Sequence, residues 1–270
     1  PHLVLRRQRQ MCIRDRKPGV DVTCKAIPVL REQHELDLVV VNGENAENGS
    51  GITKAIFNRL RDHGVDGVTL GDHIYRKREI IPILESDAPV IRPANYPPEA
   101  PGREWMTLIT TSGVPFCVVS LIGRVFMKPA DCPFHAADRI WSQLPEKRGG
   151  VLVDFHAEAT SDKQLLGRYL DGRASAVLGT HTHVTTADEQ ILPSGTAFQC
   201  DVGMTGPHDG IIGRRYDRVM ETTFTQRPTS FNVAKGDNRL SGTLVVVDSR
   251  TQKAMSIERV KVNEDASQGS

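Results

Sequence analysis

Leu38-Val39-Val40-Val41-Asn42-Gly43-Glu44-Asn45 is a short apolar run that stops abruptly in amide and carboxylate side chains. The run is too short for a helix and rich in β-branched residues, so it predicts a buried strand. The same pattern recurs along the chain. Val65–Leu70 leads into Gly71-Asp72-His73, and Val151–Val153 leads into Asp154-Phe155-His156, with Glu158 just beyond. Ala176–Leu178 leads into Gly179-Thr180-His181-Thr182-His183, and Phe116–Ile122 is a further apolar run.

Helix signals lie between these runs. Ile52 to His63 sets Ile56 and Leu60 on one face and ends at Gly64, a favoured helix stop. Ser161-Asp162-Lys163-Gln164 fits a capping box that opens a helix with Leu165, Leu166 and Leu170. Strands alternating with helices predict an α/β sandwich with largely parallel central strands. In the last third, Phe224–Phe231, Gly242–Asp248 and Met255–Val260 are β-like and are expected to complete a second sheet. No internal repeat or low-complexity linker divides the chain. One domain over 17–261 is therefore expected, with residues 262–270 a polar, disordered tail.

The 270 residues are 39% hydrophobic and 25% charged, which describes a globular protein. No apolar run approaches the ~20 residues that span a bilayer, so no membrane partner is expected. Cys12, Cys24, Cys117, Cys132 and Cys200 contain no C-x-x-C pair, which disfavours a disulfide scaffold and points to a reducing, cytoplasmic setting. Residues 1–17 hold six basic side chains against Asp15 alone, so the rest of the chain is mildly acidic. Such a body is a poor nucleic-acid platform, and no stable nucleic-acid partner is expected.

Four strands thus each deliver carboxylate, amide or imidazole groups at their C-terminal ends, the edge where open α/β sheets bind ligands. Singly, each motif reads as a turn or a helix cap; together they predict a joint metal site. A mixed His/Asp/Glu/Asn set without cysteine suits first-row ions and hydrolysis. Two ions ~3.5–4 Å apart can clamp a phosphoryl group, with Glu44 the natural bridge. His2, His34, His63 and His135 read as solvated or structural, whereas His208 falls in a candidate site loop.

Seven ordered motifs carry a resemblance. They are Asn42-Gly-Glu-Asn45, Thr69-Leu-Gly-Asp-His73, Arg92-Pro-Ala-Asn-Tyr-Pro97, Gly123-Arg-Val-Phe-Met127, Asp154-Phe-His-Ala-Glu-Ala-Thr160, Gly179-Thr-His-Thr-His-Val184 and Asp201-Val-Gly-Met-Thr-Gly206. From about Lys17 to Val260 the chain resembles the bacterial YmdB-like metallophosphoesterases of the calcineurin-like superfamily. The resemblance implies an α/β fold, a four-layer αββα sandwich of two mixed sheets flanked by helices. It also implies a centre of two divalent or trivalent transition-metal ions, commonly iron or manganese, and hydrolysis of 2′,3′-cyclic nucleotides. Carried over, Glu44 bridges, Asn45 and His183 serve the first ion, and Asp72, His156 and His181 serve the second. His73 matches the general acid that protonates the departing ribose oxygen, opposite attack by a bridging hydroxide.

Two departures stand out. The family usually carries Asn where this chain has Asp72; the added charge should hold metal more tightly and weaken attraction for an anionic diester. The family also opens with a strand ending in Gly-Asp-Ile/Val-x-Gly-Lys-Pro-Gly, whose Asp is a ligand of the first ion. Counting back from Lys17-Pro18-Gly19 without gaps puts Ile13 at that position, and only a loop shortened by two residues makes Asp15 the ligand. Arg6-Arg-Gln-Arg-Gln10 is a poor core strand, so residues 1–16 are read as not native to this fold. The leading expectation is a phosphodiesterase acting on small phosphodiesters. A broader phosphomonoesterase or nuclease, and a metal-binding regulator with impaired catalysis, are the alternatives. The oligomeric state stays open, a homo-oligomer included.

Overall fold

Side chains of the strand at 36–45 alternate between two hydrophobic layers: Leu38 and Val40 enter one, Val39 and Val41 the other. That alternation organises the whole molecule. The computed structural model describes residues 5–14 and 16–264. Its first half runs β1 (Leu5–Arg14), α1 (Arg16–His34), β2 (Leu36–Asn45), α2 (Lys54–Asp62), β3 (Gly67–Thr69), α3 (Ile81–Leu84) and β4 (Val90–Ile91). Next come β5 (Trp105–Ile109), β6 (Pro115–Ile122), α4 (Pro133–Trp141), β7 (Val151–His156), α5 (Thr160–Tyr169), β8 (Ala176–Thr180), β9 (Gln190–Ile191) and β10 (Ala197–Gln199). The chain closes with β11 (Gly206–Pro207), α6 (Tyr216–Thr225), β12 (Asn238–Asp248) and β13 (Lys253–Asn263).

One sheet has the order β11-β12-β1-β2-β3-β4 with β13 also paired to β12; the second has β5-β6-β7-β8-β10-β9. Each mixes parallel and antiparallel pairs. Between them lies a layer of Leu38, Val40, Phe116, Val118, Leu152, Leu178 and Val245. Outside the first sheet, Val20, Cys24, Ile27 and Leu30 of α1 and Phe57 and Leu60 of α2 pack on Val39 and Val41. Outside the second, Ala137 and Ile140 of α4 and Leu166 of α5 cover Val119, Val153 and Phe155. The result is the expected four-layer αββα sandwich, each of these helices burying one apolar stripe. Thr53 caps α2 with its hydroxyl on the Ile56 N–H, and Gly64, at φ +91°, ends the turn beyond it.

Residues 5–14, read from the sequence as not native to this fold, form a central strand, parallel to β2 (Gln8 opposite Leu38, Cys12 opposite Asn42) and antiparallel to β12 (Gln10 opposite Thr243). Two inner edges with backbone groups to satisfy define that slot, and the composition of 5–14 hides it. α1 is likewise unsignalled, because Pro18 and Pro28 interrupt its pattern. The stretch 224–231 is no strand: it holds the end of α6 and an irregular segment. Tyr216, Met220 and Phe224 follow the four-residue spacing of a helix face, and all three stay exposed. β12 and β13 extend the sheet of β2 instead of building the second one. β13 also continues past the expected limit, with Val262 opposite Leu240 and Asn263 opposite Arg239. The expected capping box lies inside α5, which starts at Thr160 after Ala159.

The layers differ in what a deletion should do. Phe116, in the inter-sheet layer, is 1% exposed, whereas Phe126 is 89% exposed. Phe116→Ala should lower unfolding free energy by about 3–5 kcal/mol, and Phe126→Ala should change it by less than about 0.5 kcal/mol, both measured by urea denaturation.

Candidate metal centre

Glu44 stands near the end of β2, Asp72 follows β3, His156 ends β7 and His181 follows β8. The two sheets turn these strand ends toward one another, and one ligand-type atom from each of the four residues lies within 4.8 Å of the others. His156 Nε2 is the hub. It sits 3.3 Å from Glu44 Oε1, 3.3 Å from Asp72 Oδ1 and 3.0 Å from His181 Nδ1. Glu44 and His156 are essentially dry. Only glycine fits at position 71, since a Cβ there would lie 2.5 Å from Glu44 Oε2 and from the His156 ring.

The imidazoles are oriented from behind. His156 Nδ1 lies 2.9 Å from Thr180 Oγ1, and that hydroxyl donates to Asp154 Oδ1 at 2.8 Å. Asp154, fully buried, also accepts from Thr69 Oγ1 and from Asn42 Nδ2 at 2.9 Å. Burial raises its carboxyl against these donors. The chain Asp154–Thr180–His156 commits Nδ1 to donation and turns Nε2 to the centre, as metal-binding histidines require. His181 is held at Nε2 by Glu158 Oε2 (3.0 Å), leaving Nδ1 inward.

Electrostatics agree with a cation site. Burial opposes ionised Asp72, yet the bond and charge of His156, with His73 and His181 behind, hold its carboxyl well below the usual range. Burial likewise opposes a charged His156, and Glu44, Asp72 and Asp154 outweigh it, raising the ring. Burial and the neighbouring His156 push His181 down to about 4, so its imidazole is neutral at neutral pH. Two carboxylates and two imidazole nitrogens converging without thiolate fit a first-row divalent ion.

The remaining expected residues surround this cluster. Asn45 Nδ2 donates to Glu44 Oε1 at 2.8 Å and lies 3.4 Å from His183 Nε2. Asn45 Oδ1 faces His73 Nδ1 at 2.7 Å, so ligation through this oxygen requires the opposite amide orientation. The His73 N–H donates to Glu44 Oε2 at 3.0 Å, its Nε2 is 3.8 Å from Asp72 Oδ2, and its ring is 30% exposed. Asp15 lies outside the described residues.

Several supporting residues carry no expected role, although their motifs stand in the sequence: Asn42, Asp154, Thr180 and Asp201. Lys163 gives no signal beyond helix capping, yet its ammonium is buried in α5 and meets Asp201 Oδ2 at 2.9 Å. The same oxygen accepts from the Thr182 N–H (2.9 Å) and hydroxyl (2.8 Å), and Oδ1 accepts from the Gly203 N–H (2.9 Å). This ion pair clamps the His181–His183 loop, where both histidines adopt positive-φ backbone, at +103° and +67°. Such conformations persist only where the surroundings enforce them. Lys163→Met leaves a buried charge alone and should cost about 3–5 kcal/mol in urea denaturation, while weakening Mn²⁺ binding in a metal titration.

Comparisons with known proteins point the same way. Residues 16–260 match the family model described as YmdB-like protein. The chain is 43% identical to the Bacillus subtilis 2′,3′-cyclic-nucleotide 2′-phosphodiesterase over 92% of this chain and 94% of that one. It is 29% identical to a putative phosphatase/phosphodiesterase of Mycoplasma genitalium, covering 91% and 89%. A crystal structure of a hypothetical protein from Thermus thermophilus superposes with TM-score 0.89 at 42% identity, covering 96% and 99%. A novel phosphatase from Mycoplasma pneumoniae superposes with TM-score 0.89 at 25% identity, covering 97% and 95%. The family match runs from α1 into β13 and takes in every strand end of the centre, so the chain belongs to the YmdB-like family.

Proposed function

We propose that this chain is a metal-dependent phosphodiesterase that opens 2′,3′-cyclic nucleotides or similar small phosphodiesters at a two-ion centre. The observation that carries the reading is the convergence of Glu44, Asp72, His156 and His181 on one buried point. The 43% identity to a cyclic-nucleotide phosphodiesterase supports the reaction class. Glu44, Asp72, His156 and His181 would hold one ion, and Asn45 and His183, with Glu44 shared, a second. Iron or manganese suits this donor set. When bound, such ions acidify water and neutralise charge on phosphoryl oxygens.

The chain's own groups do the rest. His73 stands between Asn45 and Asp72 at the rim of the cluster, and its Nε2 would hand a proton to the departing ribose oxygen. The partly exposed ring can meet a substrate entering from solvent. Asp154, Thr180 and Glu158 fix the two inner imidazoles, so no reorientation is needed when substrate arrives. No helix among the described residues is long and apolar enough to cross a membrane.

His73→Ala should lower turnover of a 2′,3′-cyclic nucleotide by about 10²–10⁴-fold with metal content near normal by elemental analysis. The loss should shrink on a nitrophenyl diester, whose leaving group needs little protonation; equal losses on both would remove His73 as the acid. Asp72→Asn should weaken Mn²⁺ binding about tenfold in a titration while lowering KM for the anionic diester, because one negative charge leaves the centre. Elemental analysis finding less than about half an equivalent of metal after Mn²⁺ or Fe²⁺ reconstitution would overturn the proposal.

A further inference from the structure

Next to the candidate centre lies an open cavity of about 400 Å³ that shares His183 as a wall. Its floor comes from the paired stretches of β12 near Arg239 and β13 near Val260, and from the loop after β11. Three cationic side chains line it, Arg239, Arg259 and Lys261, and among the described residues no carboxylate does. Arg239 is backed by Asp237, and Arg259 by Glu189 at 2.7 Å, so both guanidiniums are fixed in place by acids standing outside the lining. Lys261 makes no ion pair among the described residues, and its side chain is exposed. The rest of the wall mixes apolar side chains, Met204 and Val260 among them, with the hydroxyls of Thr185 and Ser241 and the His208 ring.

His208, also in the wall, bonds the Gly206 carbonyl through Nδ1 at 2.9 Å. Its ring is held below the ordinary histidine value by burial first, then by Arg239, with Lys261 adding to the effect and only Asp237 and the Gly206 bond opposing. A concave surface, part apolar and part cationic, suits a nucleotide: the base or ribose covers the apolar part and a phosphate meets the cations. A phosphate bound there would be a second one, because the scissile group belongs at the metal centre.

We propose that this cavity is a subsite for a phosphate other than the scissile one. The preferred substrate is then a nucleotide or short oligonucleotide that ends in a 2′,3′-cyclic phosphate and carries a further phosphate, in preference to a simple nucleoside 2′,3′-cyclic phosphate. The inference rests on the phosphodiesterase reading for the scissile group and adds substrate class to it.

The test compares adenosine 2′,3′-cyclic phosphate with its 5′-phosphorylated form on the Mn²⁺-loaded full chain; the scissile and leaving groups are the same in both. The expected result is a KM about tenfold lower for the phosphorylated form with similar kcat, a gap that Lys261→Glu abolishes and Lys261→Arg keeps. A dinucleotide with the same cyclic end distinguishes an internal diester from a 5′-phosphate as the group bound. Equal KM values in the wild type, or a gap that survives Lys261→Glu, would overturn the subsite. Equilibrium dialysis of the metal-free chain against adenosine 5′-phosphate and adenosine separates the two readings. A Lys261-dependent preference for the phosphorylated ligand without any hydrolysis would keep the subsite and sink the phosphodiesterase reading. Hydrolysis of both substrates with no dialysis preference would do the reverse.

Discussion

Two carboxylates, Glu44 and Asp72, are brought to within 3.3 Å of one imidazole nitrogen at a point nearly closed to water. Unbalanced, such a pair is costly, since buried charge must be matched by opposite charge or by hydrogen bonds. Against the effect of burial, Glu44, Asp72 and Asp154 raise the His156 ring, which favours its charged form beside the two carboxylates. A divalent cation held by Glu44, Asp72 and His156 would supply the match and would also satisfy His181 Nδ1, which faces the His156 nitrogen at 3.0 Å. The rest of the fold is arranged around that demand. Parallel strands from two sheets present their C-terminal ends to one point, and Gly71 leaves out a Cβ that would block the approach.

The outer parts answer a different need, which is rigidity. His181 and His183 occupy positive-φ backbone that an ordinary loop would leave. Asp201 holds that loop through Thr182 and Gly203, and Lys163 neutralises Asp201 from α5. Breaking the pair therefore acts on the centre indirectly, through loop position, whereas breaking the Asp154–Thr180 chain acts on the tautomer of His156.

The legible part of the sequence is the part where one physical rule dominates. β2 reads as a strand because β-branched residues alternate between two dry layers, and its polar end reads as a site because nothing else explains four such ends. The partners of the site are present in the quoted motifs without a role, since a hydrogen-bond chain such as Asp154–Thr180–His156 joins residues that are adjacent only in space. β1 is illegible for the opposite reason: its place is set by the open edges of β2 and β12, and its own composition argues against it. α6 misleads because its apolar residues at 216, 220 and 224 stay exposed, so helical spacing is present without the burial that gives it meaning.

Asp72 and the cationic cavity bear on one another. Replacing a neutral amide by a carboxylate strengthens the hold on a cation but makes the centre less attractive to an anionic diester. Arg239, Arg259 and Lys261 stand one histidine away, lining a surface with no carboxylate among the described residues. Positive charge there draws phosphate toward the centre without competing for its ligands, because none of the three belongs to the cluster of Glu44, Asp72, His156 and His181. Metal retention and anion attraction, which conflict when one set of side chains must provide both, are thereby assigned to neighbouring surfaces. His183, which lines the cavity and lies 3.4 Å from Asn45, is the residue through which the two surfaces meet.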